Sequence, residues 1–345
     1  MDIAFVIEKF ILVTIIFAIS LVIAMYSTYA ERKVAAFLQD RLGPDRAGPF
    51  GILQPLADGL KMFMKEEIIP THADKALFIM APGISMLTAL LTSSVIPWGS
   101  YLEINGRQVM MQITDINIGI LYIFAVVSTG VYGIMIGGWS SNNKYSLMGA
   151  LRASSQMISY ELALGLALIS VIMMTETLSL KEIVEYQAIN GWNIIYQPLG
   201  FMIFFICALA ECNRTPFDLP ESEAELVGGY HTEYSSMKLG LFLFAEYVNM
   251  FISGAIMSAL FFGGYNLPFH EELSTMFSHN TLAVLGTLSF MLKTFTFIFI
   301  FMWIRWTVPR FRYDQLMHLG WKILLPLAMF NVVATGTVIL IKMLW

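Results

Sequence analysis

The sequence predicts an all-α polytopic membrane protein, a bundle of about eight transmembrane helices with both termini outside and large cytoplasmic connections. Three observations predict it. Hydrophobic residues make up 57% of the 345 and charged residues 13%, with a mean hydropathy of +0.69, values a water-soluble domain could hardly carry on its surface. Eight apolar stretches, at 10–29, 76–97, 116–138, 153–175, 194–210, 239–262, 283–304 and 323–341, match or approach the roughly 20 residues that a hydrocarbon core about 30 Å thick demands. The basic residues of the connections fall almost entirely on one side. Alternating ten-residue patterns are absent, so helices are the way this backbone satisfies itself in lipid.

The first stretch lacks a cationic leader, so it reads as a retained helix and not a cleaved signal. Connection 31–75 alternates breakers (Gly43-Pro44, Gly48-Pro49, Gln54-Pro55) with short amphipathic pieces. After Pro55, Leu56, Leu60, Phe63 and Met64 share one helical face, and Asp58, Lys61 and Lys65 another. That spacing suits a helix at the membrane surface or beneath a partner protein. Between spans two and three, Tyr101–Ile104, Asn105-Gly106 and Arg107–Ile113 predict a β-hairpin with a type I′ turn. Ser179 followed by Glu182 is a capping-box pattern that opens a short helix through Tyr186. The acidic connection 211–238, the basic connection 305–322 and the last span complete a single integral membrane domain, 1–345. Inverted repeats of the transporter kind are not visible.

Orientation follows from the basic residues. Arg32, Lys33, Arg41, Arg46, Lys61, Lys65, Lys75, Lys144, Arg152, Arg214, Lys238, Arg305, Arg310, Arg312 and Lys322, fifteen in all, lie in connections 1–2, 3–4, 5–6 and 7–8. The opposite side holds Lys9, Arg107, Lys181 and Lys342. The positive-inside rule makes the fifteen-residue side cytoplasmic.

Several chemistries are disfavoured. Cys207 and Cys212, five residues apart, make neither a disulfide framework nor a four-ligand metal site. The five histidines (His72, His231, His270, His279, His318) all fall in connections, so no pair within the bilayer clamps a haem. Dinucleotide and Walker fingerprints are missing. The chain is expected to carry no redox cofactor, no metal site and no catalytic residue of its own.

Residues 211–234 carry six carboxylates (Glu211, Asp218, Glu221, Glu223, Glu225, Glu233) against Arg214, the reverse of the usual cytoplasmic-loop bias. Glu161, Glu211 and Glu246 fall in spans or at their ends, where an acid costs roughly 2.5–3.5 kcal/mol and needs a partner or a purpose. From the expected helix starts, Glu161 lies about 12 Å and Glu246 about 10 Å from the cytoplasmic ends of their spans. Glu246, Asn249 and Ser253 form a stripe facing the bundle interior. Carboxylates gathered so closely repel, which raises some pKa values and makes them candidate proton holders. Pairing of each with Arg152, Arg214, Lys293 or a backbone N–H is the structural alternative. Lys293 itself lies too deep in span seven to snorkel, so it serves as a counter-ion to a carboxylate or in a direct role.

Many separated segments resemble one family. They are Glu31-Arg32-Lys33, Gln39–Pro44, Leu53–Asp58 with Lys61, Ser159-Tyr160-Glu161, Glu211–Asp218, Glu221–Val227, Glu233-Tyr234, Glu246-Tyr247, Pro309–Met317 and Trp321-Lys322. Together the chain resembles the quinone-chamber membrane subunit of respiratory complex I, NADH:quinone oxidoreductase, known in bacteria as the H subunit. The resemblance implies a chamber for a long-tailed quinone, the substrate, lined by Glu31, Arg32, Arg41, Asp58, Arg305, Arg310 and Arg312. It implies that Glu161, Glu211, Glu221, Glu223, Glu225, Glu233 and Glu246 form a charged route coupling quinone reduction to proton pumping. Iron–sulfur clusters and FMN would belong to partner subunits, among peripheral iron–sulfur subunits and a proton-pumping membrane arm. The expected location is a bacterial inner membrane, with no nucleic acid bound. Two alternatives stand beside this: a homologous subunit of a hydrogenase-type membrane complex, and a free-standing proton-coupled transporter using the same carboxylates.

Overall fold

A computed structural model describes residues 3–104, 106–219, 226–267 and 277–344. Seven helices in it are long and apolar enough to cross a membrane. These are α1 (Ile3–Leu38), α3 (Lys75–Thr92), α4 (Gly119–Ser140), α5 (Lys144–Thr175), α9 (Ser236–Phe261), α10 (His279–Thr307) and a last continuous run. That run joins α11 (Tyr313–His318), a π-helical turn at Leu319–Leu324 and α12 (Leu325–Leu344). The polytopic all-α reading therefore holds.

The fifth apolar stretch takes a different form from the uniform span expected over 194–210. It is split into a single turn, α7 (Asn193–Tyr196), and the 14-residue α8 (Pro198–Glu211). Pro198 causes the break, because its ring fixes φ, removes a donor and pushes the preceding residue out of the helical region. Gln197 accordingly sits at φ −129°, ψ 53°. At 1.5 Å per residue α8 covers about 21 Å, short of the hydrocarbon thickness. The short helix α6 (Leu180–Asn190) and α7 cap its outer end, with Asn193 and Gln197 buried.

Side-chain caps set several helix starts. Asp74 accepts the Ala76 and Leu77 N–H groups ahead of α3, Asn143 accepts Tyr145 N–H ahead of α5, and Ser179 accepts Glu182 N–H ahead of α6. The hairpin pairs β1 (Tyr101–Ile104) with β2 (Arg107–Met110) in the register Ile104↔Arg107. Asn280, at the start of α10, acts as a third strand for β1: it accepts Glu103 N–H at 2.8 Å and donates to Glu103 C=O at 3.0 Å. Asn105 lies outside the described residues.

The centre of the bundle is α9, two-thirds of whose membrane window is buried, whereas α1 and the α11–α12 run are only 22% buried and form the rim. With no hydrophobic drive between helices in lipid, close packing and small residues hold such a core. Gly133 shows this between α3 and α4: a Cβ there would collide with Ser85 Oγ and stand 2.9 Å from the Ser85 backbone N. Both α5 and α9 begin on the basic side well before the apolar run does, so Glu161 lies about 25 Å and Glu246 about 15 Å from the first residues of their helices.

Candidate functional site

Two linked sets of charges occupy the basic half of the bundle. The first centres on Glu31, near the end of α1. Its carboxylate is buried and accepts three donors: Arg214 at 3.0 Å, Arg305 at 2.6 Å and the Tyr247 hydroxyl at 2.7 Å. They come from the acidic connection, α10 and α9, so four parts of the chain meet on one carboxylate. Arg214 also lies over the Tyr247 ring, 4.0 Å from its centroid. Burial works against the Arg214 charge, but Tyr247, Glu31 and Glu246 outweigh it and hold this guanidinium above its ordinary pKa. The pair is therefore a fixed, desolvated one.

Glu31 forms the floor of a cavity of about 270 Å³ between α1, α2 (Gln54–Met64), α9 and the end of α10. One wall is charged (Glu31, Arg32, Asp58, Arg305) and the other apolar (Met25, Leu243, Phe244, Trp306). Arg32 and Asp58 pair at 2.8 Å across the α1–α2 gap, and Gln54 donates to Asp58 at 3.0 Å. The amphipathic helix expected after Pro55 is thus a wall of this cavity. Its apolar residues Leu56, Leu60, Phe63 and Met64 face outward, exposed, as a membrane-surface or partner-facing helix requires.

The second set lies deeper. A cavity of about 40 Å³ touches Glu161 and Glu211, and a second of about 30 Å³ touches Glu211 and Glu246. Thr92, Val127, Glu211 and Asn249 line both, so the two cavities adjoin, and each has room for a water or two between the carboxylates. Glu161 accepts the Ser128 hydroxyl of α4, and Glu246 accepts the Tyr230 hydroxyl at 3.2 Å. Asn249 and Ser253 of the expected polar stripe face this interior.

The acidic connection is rooted by a buried amide. Gln156, wholly enclosed in α5, donates to Ala210 C=O at 2.7 Å and Phe217 C=O at 2.8 Å. Phe311 N–H donates to Pro216 C=O at 3.1 Å and Arg310 pairs with Asp218 at 3.0 Å, so the segment after α10 is fastened to the same root. Farther along, Gly149 lets the Gly229–Tyr230 backbone press on α5, where a Cβ would come within 2.7 Å of Tyr230 N. Tyr234 stacks on Phe78 at 4.0 Å and donates to Phe78 C=O at 3.1 Å; burial pushes this phenol up to about 12. Ser236 donates to Met62 C=O at 3.0 Å, tying the end of the connection to α2.

Of the expected chamber residues, Glu31, Arg32, Asp58 and Arg305 come together. Arg41 (bonded to Gln39 at 2.7 Å), Arg310 and Arg312 (beside Asp314 at 3.5 Å) line none of this cavity. Of the expected proton holders, Glu161, Glu211 and Glu246 come together, and Glu233 accepts Asn143 Nδ2 at 2.5 Å at the basic face. Glu221, Glu223 and Glu225 lie outside the described residues. Among the described residues Lys293 meets backbone and not the carboxylate that its depth suggested: its ammonium donates to the carbonyls of Phe262 (2.9 Å), Gly264 (2.8 Å) and Asn266 (3.2 Å), because the end of α9 exposes acceptors there. Sequence reasoning missed Ser128, Gln156, Tyr230 and Tyr247 as site residues; only Tyr247, adjacent to Glu246, carried a signal.

The profile of the NADH dehydrogenase family matches residues 10–336. The chain is 69% identical over 337 residues to an NADH-quinone oxidoreductase H subunit of Cytophaga hutchinsonii, covering 98% of each. It is 62% identical to the corresponding H subunit of Flavobacterium psychrophilum, covering 99% of each. With an H subunit of Geobacter sulfurreducens it shares 51% identity over 95% of this chain and 93% of the relative.

Proposed function

Since this chain belongs to the NADH dehydrogenase family, as an H subunit of the NADH-quinone oxidoreductase complex, we propose that its Glu31 cavity receives the quinone head. In the same reading, the carboxylates behind the cavity couple quinone reduction to proton movement. One observation carries the proposal: Glu31 faces the cavity on one side and Arg214 on the other, and Arg214 in turn feels Glu246.

The cavity suits a ligand with a polar head and an apolar tail. Arg32, Arg305 and Asp58 offer charge-assisted partners for quinone oxygens, while Met25, Leu243, Phe244 and Trp306 accept hydrocarbon. Arg41, Arg310 and Arg312 extend the basic surface where the chamber meets a peripheral partner. That partner and its neighbours carry the iron–sulfur clusters and FMN, which supply the electrons.

Reducing a quinone to a neutral quinol takes up two electrons and two protons; electrons that arrive ahead of the protons, or protons drawn from chamber side chains, change the chamber's charge in a poorly screened place. Glu31, held by three donors, transmits that change to Arg214 and so to Glu246. Glu246, Glu211 and Glu161 then exchange protons along the two small cavities, toward pumping subunits elsewhere in the membrane. Glu233, with Glu221, Glu223 and Glu225, forms the cytoplasmic supply of this row. In the same reading the fifteen basic connection residues face the cytoplasm, and the membrane is the inner membrane of a bacterium.

The test is purification of the tagged chain in mild detergent from its native membranes, followed by NADH:quinone reductase assay. Co-purification of a large assembly whose activity falls with Glu31→Gln supports the reading. Unchanged quinone kinetics in that variant would place the quinone elsewhere.

A further inference from the structure

The cavity that touches Glu161 and Glu211 does not end at them. Along α9 its lining runs from Asn249 to Leu260, eleven residues or about 16 Å of membrane depth away from the basic side. Beyond the carboxylates its walls are Ile120, Leu164, Leu168, Leu180, Ile256 and Leu260, with no polar side chain among these six. Leu180 is the first residue of α6, so this apolar shaft leads from the carboxylates to the underside of the α6–α7 cap.

At its far end the backbone of α9 is gripped from three directions. Gln187 of α6 donates to Ala259 C=O at 2.8 Å, Asn193 of α7 to Leu260 C=O at 2.8 Å, and Lys293 of α10 to the carbonyls of residues 262, 264 and 266. Gln187 Oε1 meanwhile accepts Gly263 N–H at 2.9 Å and Asn193 N–H at 3.2 Å. Three carbonyls on one Lys293 nitrogen match the three donors of an ammonium, where a neutral amine has only two. The Lys293 ammonium thus stands against the backbone two to six residues past Leu260, the last α9 residue lining the apolar shaft. These are the two devices by which pores exclude protons, a dewetted constriction and a cationic barrier.

We propose that the shaft and the Gln187–Asn193–Lys293 clamp form a proton seal, insulating the Glu161–Glu211 pair from the side opposite the basic connections. The inference rests on the reading of those carboxylates as proton holders. Helix-end satisfaction explains why the carbonyls need partners. It leaves unexplained why a charged donor reaches them from mid-membrane on another span, just past the last α9 residue that lines the shaft. Without a seal, protons accumulated on the far side would run back down their gradient through the shaft to Glu161, and the redox work would be dissipated.

Two variants of the assembled complex in inverted membrane vesicles test this. Leu168→Asn wets the shaft, and Lys293→Gln keeps hydrogen bonding but removes the charge. The readouts are NADH:quinone reduction and the decay of an imposed pH gradient followed by a trapped pH-sensitive dye. The seal predicts near-parental electron transfer with decay severalfold faster in both variants, or in whichever assembles. Decay at the parental rate in an assembled variant overturns it. Repeating the leaky variant with Glu161→Gln separates the two readings. A leak abolished by Glu161→Gln supports both seal and relay, whereas a leak that persists keeps the seal and removes Glu161 as its proton source.

Discussion

Arg214 and Glu31 meet at 3.0 Å with side chains only 5% and 6% exposed, joining the root of the acidic connection to the end of the first helix. The geometry makes the pair mutually dependent. Each charge has been taken out of water, and each depends on the other for part of its compensation, Glu31 sharing its load with Arg305 and Tyr247. Losing one partner of such a pair costs about 3–5 kcal/mol, whereas replacing both with matched neutral groups is far cheaper.

Arg214→Met should therefore lower the thermal stability of the detergent-solubilised complex sharply, because Glu31 keeps only Arg305 and Tyr247. The double variant Arg214→Met/Glu31→Gln should recover a good part of the loss. A double-mutant cycle read by thermal unfolding checks this; additive losses would mean the two residues do not depend on one another.

Glu246→Gln and Glu161→Gln preserve shape and remove a titratable site. Each should lower proton pumping in vesicles and slow NADH:quinone reduction coupled to it, with the complex still assembled. Ser128→Ala, which deletes the hydroxyl on Glu161, should cost about 0.5–1.5 kcal/mol of local interaction and produce a milder defect. Pumping at parental rates in both glutamate variants would take these carboxylates out of the route.

The apolar spans were legible because membrane thickness sets a minimum length for every spanning helix, and the fifth failed that pattern only where Pro198 interrupts it. The starts of α5 and α9 were not legible. Their first turns carry Lys144 and Lys238, and Arg152 follows in the third turn of α5, so hydropathy ends before the helix does. The acidic residues stood out through their misfit with the loop bias, yet their pairing could not be read. Glu31 and Arg214 are 183 residues apart, and no local period links them. Lys293 shows the converse: depth alone demanded a partner, but nothing in the sequence signals that backbone carbonyls at the end of another helix supply it.

Gln156 should be a positioning residue. Gln156→Leu fits the volume but strands the carbonyls of Ala210 and Phe217, each buried acceptor costing about 1–3 kcal/mol. The expected result is faster limited proteolysis within the acidic connection and slower turnover, with the spectrum of the assembled complex unchanged. Unaltered cleavage would show that Arg310–Asp218 and Phe311–Pro216 hold the root unaided.

Arg32 and Asp58 offer the contrast to Arg214 and Glu31. They pair at 2.8 Å across the cavity, but their side chains are 52% and 32% exposed. A pair so solvated contributes about 0–1 kcal/mol to stability and is screened by salt. Arg32→Ala should thus leave thermal unfolding almost unchanged while raising KM for quinone, if the cavity is where the head binds. Steady-state kinetics over a quinone series, beside a melting curve, separates the outcomes. A loss of stability without a change in KM would make the pair a structural strut between α1 and α2, and the chamber wall would then be carried by Glu31 and Arg305.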